Sequence, residues 1–330
     1  MISAERQRRT VEKLKVDLGD NILAYLDDDD ITEIMLNPDG FIWTEGFASG
    51  LVKQFELSSR QAESIIGLVA DMSVTTVTRN SPIISGILPI KDCRFEGMLP
   101  PVVARPSFTI RKRAVRVFSI DDYVQTDVMT AATAIRIRSA IMERENIVVV
   151  GGTGSGKTTL SNAMIKEMTT LAPDHRVVII EDTPEIQCEQ ENHVIMQTSD
   201  EVAMVDLLRS TMRMRPDRIL VGEVRGGEAL TLLKSWNTGH PGGIATIHAN
   251  SAKAALIRME QLIAEATPAP MQSLIGEAVD LVIYIEKDAS KGNRSIKELL
   301  DVRGFKDGEY ITSPVNLITK ASNEQESRHA

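Results

Sequence analysis

Aromatic residues and cysteine are scarce in this sequence. Phe, Trp and Tyr make up 4% of the 330 residues, which disfavours a protein that stacks single-stranded bases on rows of aromatic side chains. The two cysteines, Cys93 and Cys188, lack metal-ligand spacing. We therefore expect two reduced thiols in a cytosolic protein.

Positive charge and long apolar runs are also in short supply. The formal net charge is −9, whereas non-specific nucleic-acid binding needs a surplus of Lys and Arg, so we expect weak or no direct DNA binding. No apolar run approaches the roughly 20 residues of a membrane span, and the N-terminus lacks the apolar core of a signal peptide. We expect a cytoplasmic protein whose membrane contact, where it occurs, is peripheral.

The length predicts about two domains of roughly 150 residues each. Amphipathic helices are predicted at 11–26 and 58–72, and the stretches between and after them read as short strands separated by turn residues. We therefore expect a small α+β domain at residues 1–116, followed by a linker at 117–128.

The remaining part, residues 129–330, alternates apolar strands with helices. Strands are predicted at Ile147–Val150, Val177–Glu181, Ile219–Val221, Gly243–Ile247 and Leu281–Ile285. Helices are predicted at 130–145, 157–170, 201–214, 226–236, 251–264 and 270–277. Continuous Val and Ile runs separated by helices indicate an α/β domain whose parallel sheet is covered on both faces.

A glycine-rich run follows the first of these strands and opens a predicted helix. Gly151, Gly156, Lys157 and Thr158 satisfy the P-loop pattern G-x-x-x-x-G-K-[ST]. Its backbone N–H groups converge on the β- and γ-phosphates of a nucleotide at a helix N-terminus. Lys157 adds a mobile charge, and the Thr158 hydroxyl is expected to ligate Mg²⁺. The other predicted nucleotide-binding residues are Gly152, Thr153, Gly154, Ser155 and Thr159.

Carboxylates end two further strands. Glu181, Asp182 and Glu185 follow one apolar run, and Glu223 follows another. At the carboxyl edge of a parallel sheet these groups can orient an attacking water or hold metal-bound water; the alternative is a solvated strand end. Gly222 stands where a Walker B strand usually carries a metal-binding Asp. Glu223 is therefore the second candidate metal ligand, and the general base stays open among the glutamates.

Two histidines bracket the predicted strand at Gly243–Ile247. An isolated His is more often a satisfied surface or core residue, but His240 and His248 are two of only five in the chain. We predict that His248 hydrogen-bonds the γ-phosphate and reports its presence. The role of His240 is left undecided.

These four segments, in this order, resemble the motifs of the secretion-ATPase family of P-loop motors. Its members drive type II secretion, type IV pili and type IV secretion, including plasmid conjugation. Gly151 to Thr159 resembles its Walker A motif, Glu181 to Glu185 its Asp box, and Thr238 to Asn250 its His box. Leu220 to Glu223 resembles its Walker B motif, in which the glycine is typical. The resemblance covers about residues 80–290.

Two features favour the type IV secretion branch. Gly239 to Gly242 and Arg213 to Asp217 resemble its members. Pilus and type II motors often carry a tetracysteine zinc module after the His box, whereas this chain has no cysteine after Cys188.

The resemblance implies a RecA-like P-loop domain, with a mainly parallel sheet, preceded by the smaller α+β domain. It implies a homohexamer that holds ATP and Mg²⁺ between the two domains. The implied partners are inner-membrane components of a type IV secretion or conjugation channel. Arg94 and Arg111 are candidates for the arginines of the first domain that approach the phosphates, and residues 94–116 hold six basic residues and one acidic residue.

Two other functions would use the same P-loop. A nucleic-acid-stimulated RecA-like motor is disfavoured by the acidic balance and the scarcity of aromatics. A small-molecule kinase or nucleotide switch needs an acceptor pocket and a lid, and no segment for either is evident. ATP rather than GTP rests on the resemblance, since the sequence has no Asn-Lys-x-Asp segment. The cargo and the direction of coupling stay open.

Overall fold

The chain divides into two compact units, Met1–Arg116 and Val117–Ala330. The computed structural model describes residues 4–46, 49–73, 75–112, 117–199, 201–288 and 293–315. Within these ranges no helix has the length and apolar character that a membrane crossing requires.

In its described residues, the first unit combines two helices with an antiparallel sheet. The helices are α1 (Ala4–Asp27) and α2 (Ser59–Met72), and the strands are β1 (Ile31–Leu36), β2 (Phe41–Gly46), β3 (Gly50–Glu56), β4 (Ile83–Leu88), β5 (Cys93–Met98) and β6 (Ser107–Arg111). The strands lie in the order β3-β2-β1-β6-β5-β4, and each neighbouring pair is antiparallel.

The apolar stripe of α1 forms part of the core of the first unit. Leu14, Leu18, Ile22 and Leu26 are spaced four residues apart and are all buried. Gly19 interrupts the helix with φ 73° and ψ 166°, so this spacing puts Leu14 and Leu18 on one face before the break, and Ile22 and Leu26 on one face after it. The second helix starts at Ser59 because the Ser58 hydroxyl accepts a hydrogen bond from the backbone N–H of Gln61.

The second unit contains a larger, mainly parallel sheet. Its described elements are α3 (Ile120–Gln125), α4 (Ala131–Met142), β7 (Ile147–Val150), α5 (Lys157–Leu171), β8 (Val177–Glu181), β9 (His193–Gln197), α6 (Met204–Thr211), β10 (Arg218–Val221), α7 (Glu228–Asn237), β11 (Ile244–Ile247), α8 (Ala252–Ala264), α9 (Gln272–Ala278), β12 (Leu281–Lys287), β13 (Arg294–Lys306) and β14 (Glu309–Pro314). The strand order is β14-β13-β12-β7-β11-β10-β8-β9. From β12 to β9 all neighbours are parallel, and β13 and β14 are antiparallel.

Both faces of this sheet are covered. Val148 and Val150 pack into one apolar cluster, and Ile147 and Val149 into another, because successive side chains of a strand point to opposite faces. Every residue of β7 is buried, which explains why the strand reads as a continuous apolar run.

Parts of the second unit differ from the sequence predictions. The edge strand β9 and the β13–β14 hairpin were not predicted, because their exposed and polar positions do not form continuous apolar runs. Residues 117–128, expected to be a linker, contain α3. Ser119 and Asp122 cap this helix reciprocally, and its residues Ile120 and Tyr123 are buried in the core of the second unit.

Candidate active site

The glycine-rich loop lies between β7 and α5, at the carboxyl edge of the parallel sheet. Gly154 and Gly156 have φ values of 70° and 98°, in the left-handed region that glycine adopts without strain. A Cβ added to Gly151 would lie 2.3 Å from the carbonyl oxygen of Ile285. The loop is thus shaped by glycines and leads directly into the N-terminus of a 15-residue helix, an arrangement that suits an anion.

Lys157 is folded back over this loop and is only 8% exposed. Its Nζ donates hydrogen bonds to the carbonyl oxygens of Gly151 and Gly152, both at 3.1 Å. The same atom lies 3.4 Å from Nδ1 of His248. The ammonium charge is therefore held at the loop, where it can reach phosphate oxygens as a point charge.

A chain of hydrogen bonds joins α5 to the end of β8. The Thr158 hydroxyl donates to Oε2 of Glu185 at 3.1 Å. Oε1 of Glu181 accepts the backbone N–H groups of Glu185 and Ile186, at 2.9 and 2.7 Å. Glu181 is 1% exposed, and its two hydrogen bonds hold the segment that carries Glu185 in place.

The oxygen donors near the loop fit Mg²⁺, which prefers hard oxygen ligands and usually keeps several waters. The Thr158 hydroxyl and the Glu185 carboxylate already lie within hydrogen-bond distance of each other. In the described part of the chain, no three acidic, His or Cys side chains converge to hold a metal by themselves. A Mg²⁺ ion here would therefore share phosphate oxygens and water.

Glu223, the other predicted metal ligand, is held between a cation and an imidazole. Its Oε2 lies 2.6 Å from Nη2 of Arg225, and its Oε1 lies 2.7 Å from Nε2 of His248. Burial raises the pKa of Glu223, but the hydrogen bond from Arg225 and the charges of Arg225 and Lys157 outweigh it, so this pKa is lower than usual. Glu223 is ionised at neutral pH.

The contacts of His248 define one tautomer. Burial and the charge of Lys157 lower the pKa of His248, so the imidazole is neutral at pH 7 and has one donor and one acceptor nitrogen. An Nε2–H that donates to Glu223 leaves Nδ1 to accept from Lys157. His248 thus links the ammonium of the loop to the carboxylate after β10.

The backbone at Gly222 leaves room for Glu181. A Cβ added to Gly222 would lie 3.2 Å from Cγ of Glu181, tighter than ordinary van der Waals contact. The side chain of Glu181, at the end of the neighbouring parallel strand β8, packs against this position. The missing Walker B Asp at 222 is therefore coupled to a buried carboxylate at 181.

Two further predicted positions lie beside the site or away from it. Asp182 accepts a hydrogen bond from the Thr198 hydroxyl at 2.9 Å and lies 3.7 Å from Arg225. His240 precedes β11, whereas His248 follows it, so the two lie at opposite ends of that strand. Nδ1 of His240 is 3.3 Å from the carbonyl oxygen of Ser235, and only His248 reaches the loop.

The two candidate arginines of the first unit are direct neighbours. Arg94 on β5 lies opposite Arg111 on β6, and Nε of Arg111 is 3.5 Å from Glu33. Like charges directly opposite each other are destabilising, and the carboxylate of Glu33 offsets part of this repulsion. Two other basic residues of the basic segment at 94–116, Arg113 and Arg116, lie outside the described residues.

Sequence reasoning missed Arg225. This residue bonds Glu223 and also lies near Asp182, so it ties together the carboxylates at the ends of β10 and β8. Its place two residues after Glu223 was the only signal in the sequence, and a lone Arg there reads equally well as a solvated charge.

Comparisons with known proteins show which family and fold this chain is similar to. The family model described as "Type II/IV secretion system protein" matches residues 84–309. The probable conjugal transfer protein TrbB of Sinorhizobium fredii is 54% identical over 321 residues, 97% of each protein. The type IV secretion system protein VirB11 of Bartonella henselae is 30% identical, covering 82% of this chain and 88% of VirB11. The X-ray structure of the Legionella pneumophila ATPase DotB shares the fold, with a TM-score of 0.63 at 20% identity over 84% of this chain and 78% of DotB.

Proposed function

We propose that this ATPase, which belongs to the Type II/IV secretion system protein family, powers a conjugal type IV secretion apparatus. Family membership rests on the family model over residues 84–309 and on relatives similar over nearly the whole chain. ATP hydrolysis would drive either assembly of the apparatus or transfer of substrate through it. The chain would act in the cytoplasm, peripherally at the inner membrane, with channel components as partners.

The observation that carries this proposal is the convergence of Lys157, Glu223 and His248 on one loop. Lys157 would bind the β- and γ-phosphates, and His248 would contact the γ-phosphate from the neighbouring strand. Glu223, ionised and partly buried, can orient the attacking water or accept its proton. Binding of the γ-phosphate would compete for the Lys157–His248 contact, so the state of the nucleotide would be communicated to Glu223.

The carboxylates beside Thr158 would hold the metal. Thr158 and Glu185, together with Glu223 through water, would bind Mg²⁺, which would neutralise charge on the phosphates. We assign Glu181 to positioning, because its Oε1 accepts the two backbone N–H groups that hold the segment of Glu185.

We further propose a homohexameric ring in which Arg94 and Arg111 face the phosphates. The two domains would be residues 1–116 and a RecA-like P-loop domain at residues 129–330. The pairing of Arg94 with Arg111 on neighbouring strands, which puts two cations close together, supports this proposal. An arginine that meets transition-state charge contributes about 10³- to 10⁵-fold in rate.

A mating assay tests the proposal. In cells that lack the wild-type gene, Lys157→Ala should reduce transfer to background, because the variant loses the ammonium group that would contact the phosphates. Lys234→Ala, which changes an exposed lysine on α7, should leave transfer unchanged. Transfer at the wild-type level with Lys157→Ala would exclude an ATP-driven role.

A further inference from the structure

Arg294, the first residue of β13, lies against the last glycine of the P-loop. A Cβ added to Gly156 would be 3.0 Å from Cδ and 3.4 Å from Nε of Arg294. The side-chain stem of Arg294 and the start of its guanidinium therefore touch the loop directly before Lys157. This contact depends on the β13 strand, which pairs Arg294 with Lys287 of β12.

Arg294 lies on the opposite side of the loop from the hydrolytic residues. In the sheet, β7 has β11 and then β10 on one side, and β12 and then β13 on the other. His248 and Glu223 follow β11 and β10, so a bound γ-phosphate would face that side. The α-phosphate and the nucleoside would then extend along the loop toward β12 and β13, where Arg294 lies.

The surroundings of Arg294 place a permanent cation at this end of the loop. An arginine stays charged in proteins and offers a planar fork that matches phosphate oxygens. Burial raises the pKa of Tyr123 on α3, and the positive charge of Arg294 partly opposes that rise. The Arg294 side chain thus lies beside the P-loop, and its charge acts on a buried tyrosine.

We propose that Arg294 binds the α-phosphate of the nucleotide and is a further nucleotide-binding residue of this ATPase. The assignment rests on the proposed ATP site. The α-phosphate does not react when the γ-phosphate is transferred to water. Its contact is therefore equal in the ground and transition states, and its loss raises Kd and KM without lowering kcat.

The test is calorimetric titration of the full chain with Mg²⁺ and a non-hydrolysable ATP analogue. Arg294→Met keeps an aliphatic stem against Gly156 and removes the cation. Loss of a charged hydrogen bond should weaken binding about 10- to 100-fold, with kcat at saturating ATP unchanged within about threefold. Arg294→Lys, which keeps a point charge, should fall between Met and the wild type.

The matched control is Arg303→Met, which removes an exposed arginine from the same strand and should bind the analogue like the wild type. An Arg294→Met Kd within twofold of the wild type, or a fall in kcat at unchanged Kd, would overturn the proposal. If Arg294→Lys binds the analogue no better than Arg294→Met, the proposal is also overturned, because this result indicates that the Arg294 guanidinium stacks on the base. Since the readout is binding, a wild-type chain that binds the analogue but does not hydrolyse ATP would contradict the proposed function and leave this assignment measurable.

Discussion

At the scale of single residues, three glutamates at one sheet edge have different surroundings. Glu181 is buried and accepts two backbone hydrogen bonds. Glu185 accepts from the Thr158 hydroxyl, and Glu223 lies between Arg225 and His248. Glu185 and Glu223 contact side chains that we expect at the phosphates or the metal, whereas Oε1 of Glu181 holds backbone N–H groups, so their contributions to turnover should differ from that of Glu181.

Replacing each glutamate with glutamine separates these roles. Glu185→Gln and Glu223→Gln should each lower kcat at least about 100-fold, the usual range for loss of an acid–base or metal-holding carboxylate. Glu181→Gln should lower it less than about tenfold, because the amide oxygen still accepts both N–H groups. Steady-state phosphate release measures all three. If Glu181→Gln melts like the wild type but loses as much turnover as the others, Glu181 is catalytic.

The candidate residues differ in how far the sequence could predict them. Lys157 and Thr158 were predictable because the P-loop pattern is local and its glycines fix the backbone. Arg225 and Arg294 were not, because the meaning of each depends on a partner far away in the chain. The contact of Arg294 in particular depends on the antiparallel strand β13, whose pattern gave no clear strand signal.

At the scale of elements, Gly222 and Glu181 show how neighbouring strands share one position. Gly222 follows β10, and Glu181 is the last residue of the neighbouring parallel strand β8. The side chain of Glu181 occupies the space beside Gly222. The continuous apolar strands were predictable from their runs of Val and Ile. The contact between the ends of these strands could not be predicted, because it depends on which strands become neighbours.

Gly222→Asp would restore the residue of a usual Walker B strand, and we expect it to inactivate the protein. The new side chain meets Glu181 at about 3 Å, and such overpacking costs about 1–3 kcal/mol. Chemical denaturation and phosphate release measure the two effects. The control is Gly67→Ala on α2, where an added Cβ meets nothing within 4 Å and stability should be unchanged or slightly higher. Full activity of Gly222→Asp would contradict the coupling of these positions.

The opposite edge of the sheet predicts a pH effect on stability. Arg218, 2% exposed, donates from Nε to Nδ1 of His175 at 2.9 Å. Burial and the charge of Arg218 lower the pKa of His175 in the folded protein, below its unfolded value of about 6.5. The stabilisation is therefore complete above the unfolded pKa and is lost as the pH falls toward the folded pKa.

Urea unfolding at pH 7.5 and 5.5 measures this effect. The free energy of unfolding should fall at the lower pH, and His175→Gln should reduce that fall because it removes the titrating group. An equal fall in the variant and the wild type would show that His175 does not contribute.

At the scale of the whole molecule, the proposed function needs both units and several copies. The second unit contains the P-loop and its carboxylates, and the first contains Arg94 and Arg111 on neighbouring strands. Sedimentation in the presence of nucleotide should give a species about six times the 36.3 kDa chain. A monomer with full activity would contradict the ring.

Arg94→Ala and Arg111→Ala should each lower kcat by at least about 100-fold if they meet transition-state charge. Stability should change little, because the ion pair of Arg111 with Glu33 is partly exposed and such pairs contribute about 0–1 kcal/mol. Arg105→Ala removes an exposed arginine of the same patch and is the matched control. If Arg94→Ala and Arg111→Ala have the same kcat as the control Arg105→Ala, then Arg94 and Arg111 do not contact the phosphates.

The most direct test of the central claim is phosphate release from ATP with Mg²⁺, without DNA or any acceptor. We expect the wild-type chain to turn over and Lys157→Ala to lose at least about 100-fold in rate, while its unfolding transition stays cooperative. Equal rates in the two proteins would contradict hydrolysis at this loop. Turnover that begins only when DNA is added would instead identify a nucleic-acid motor.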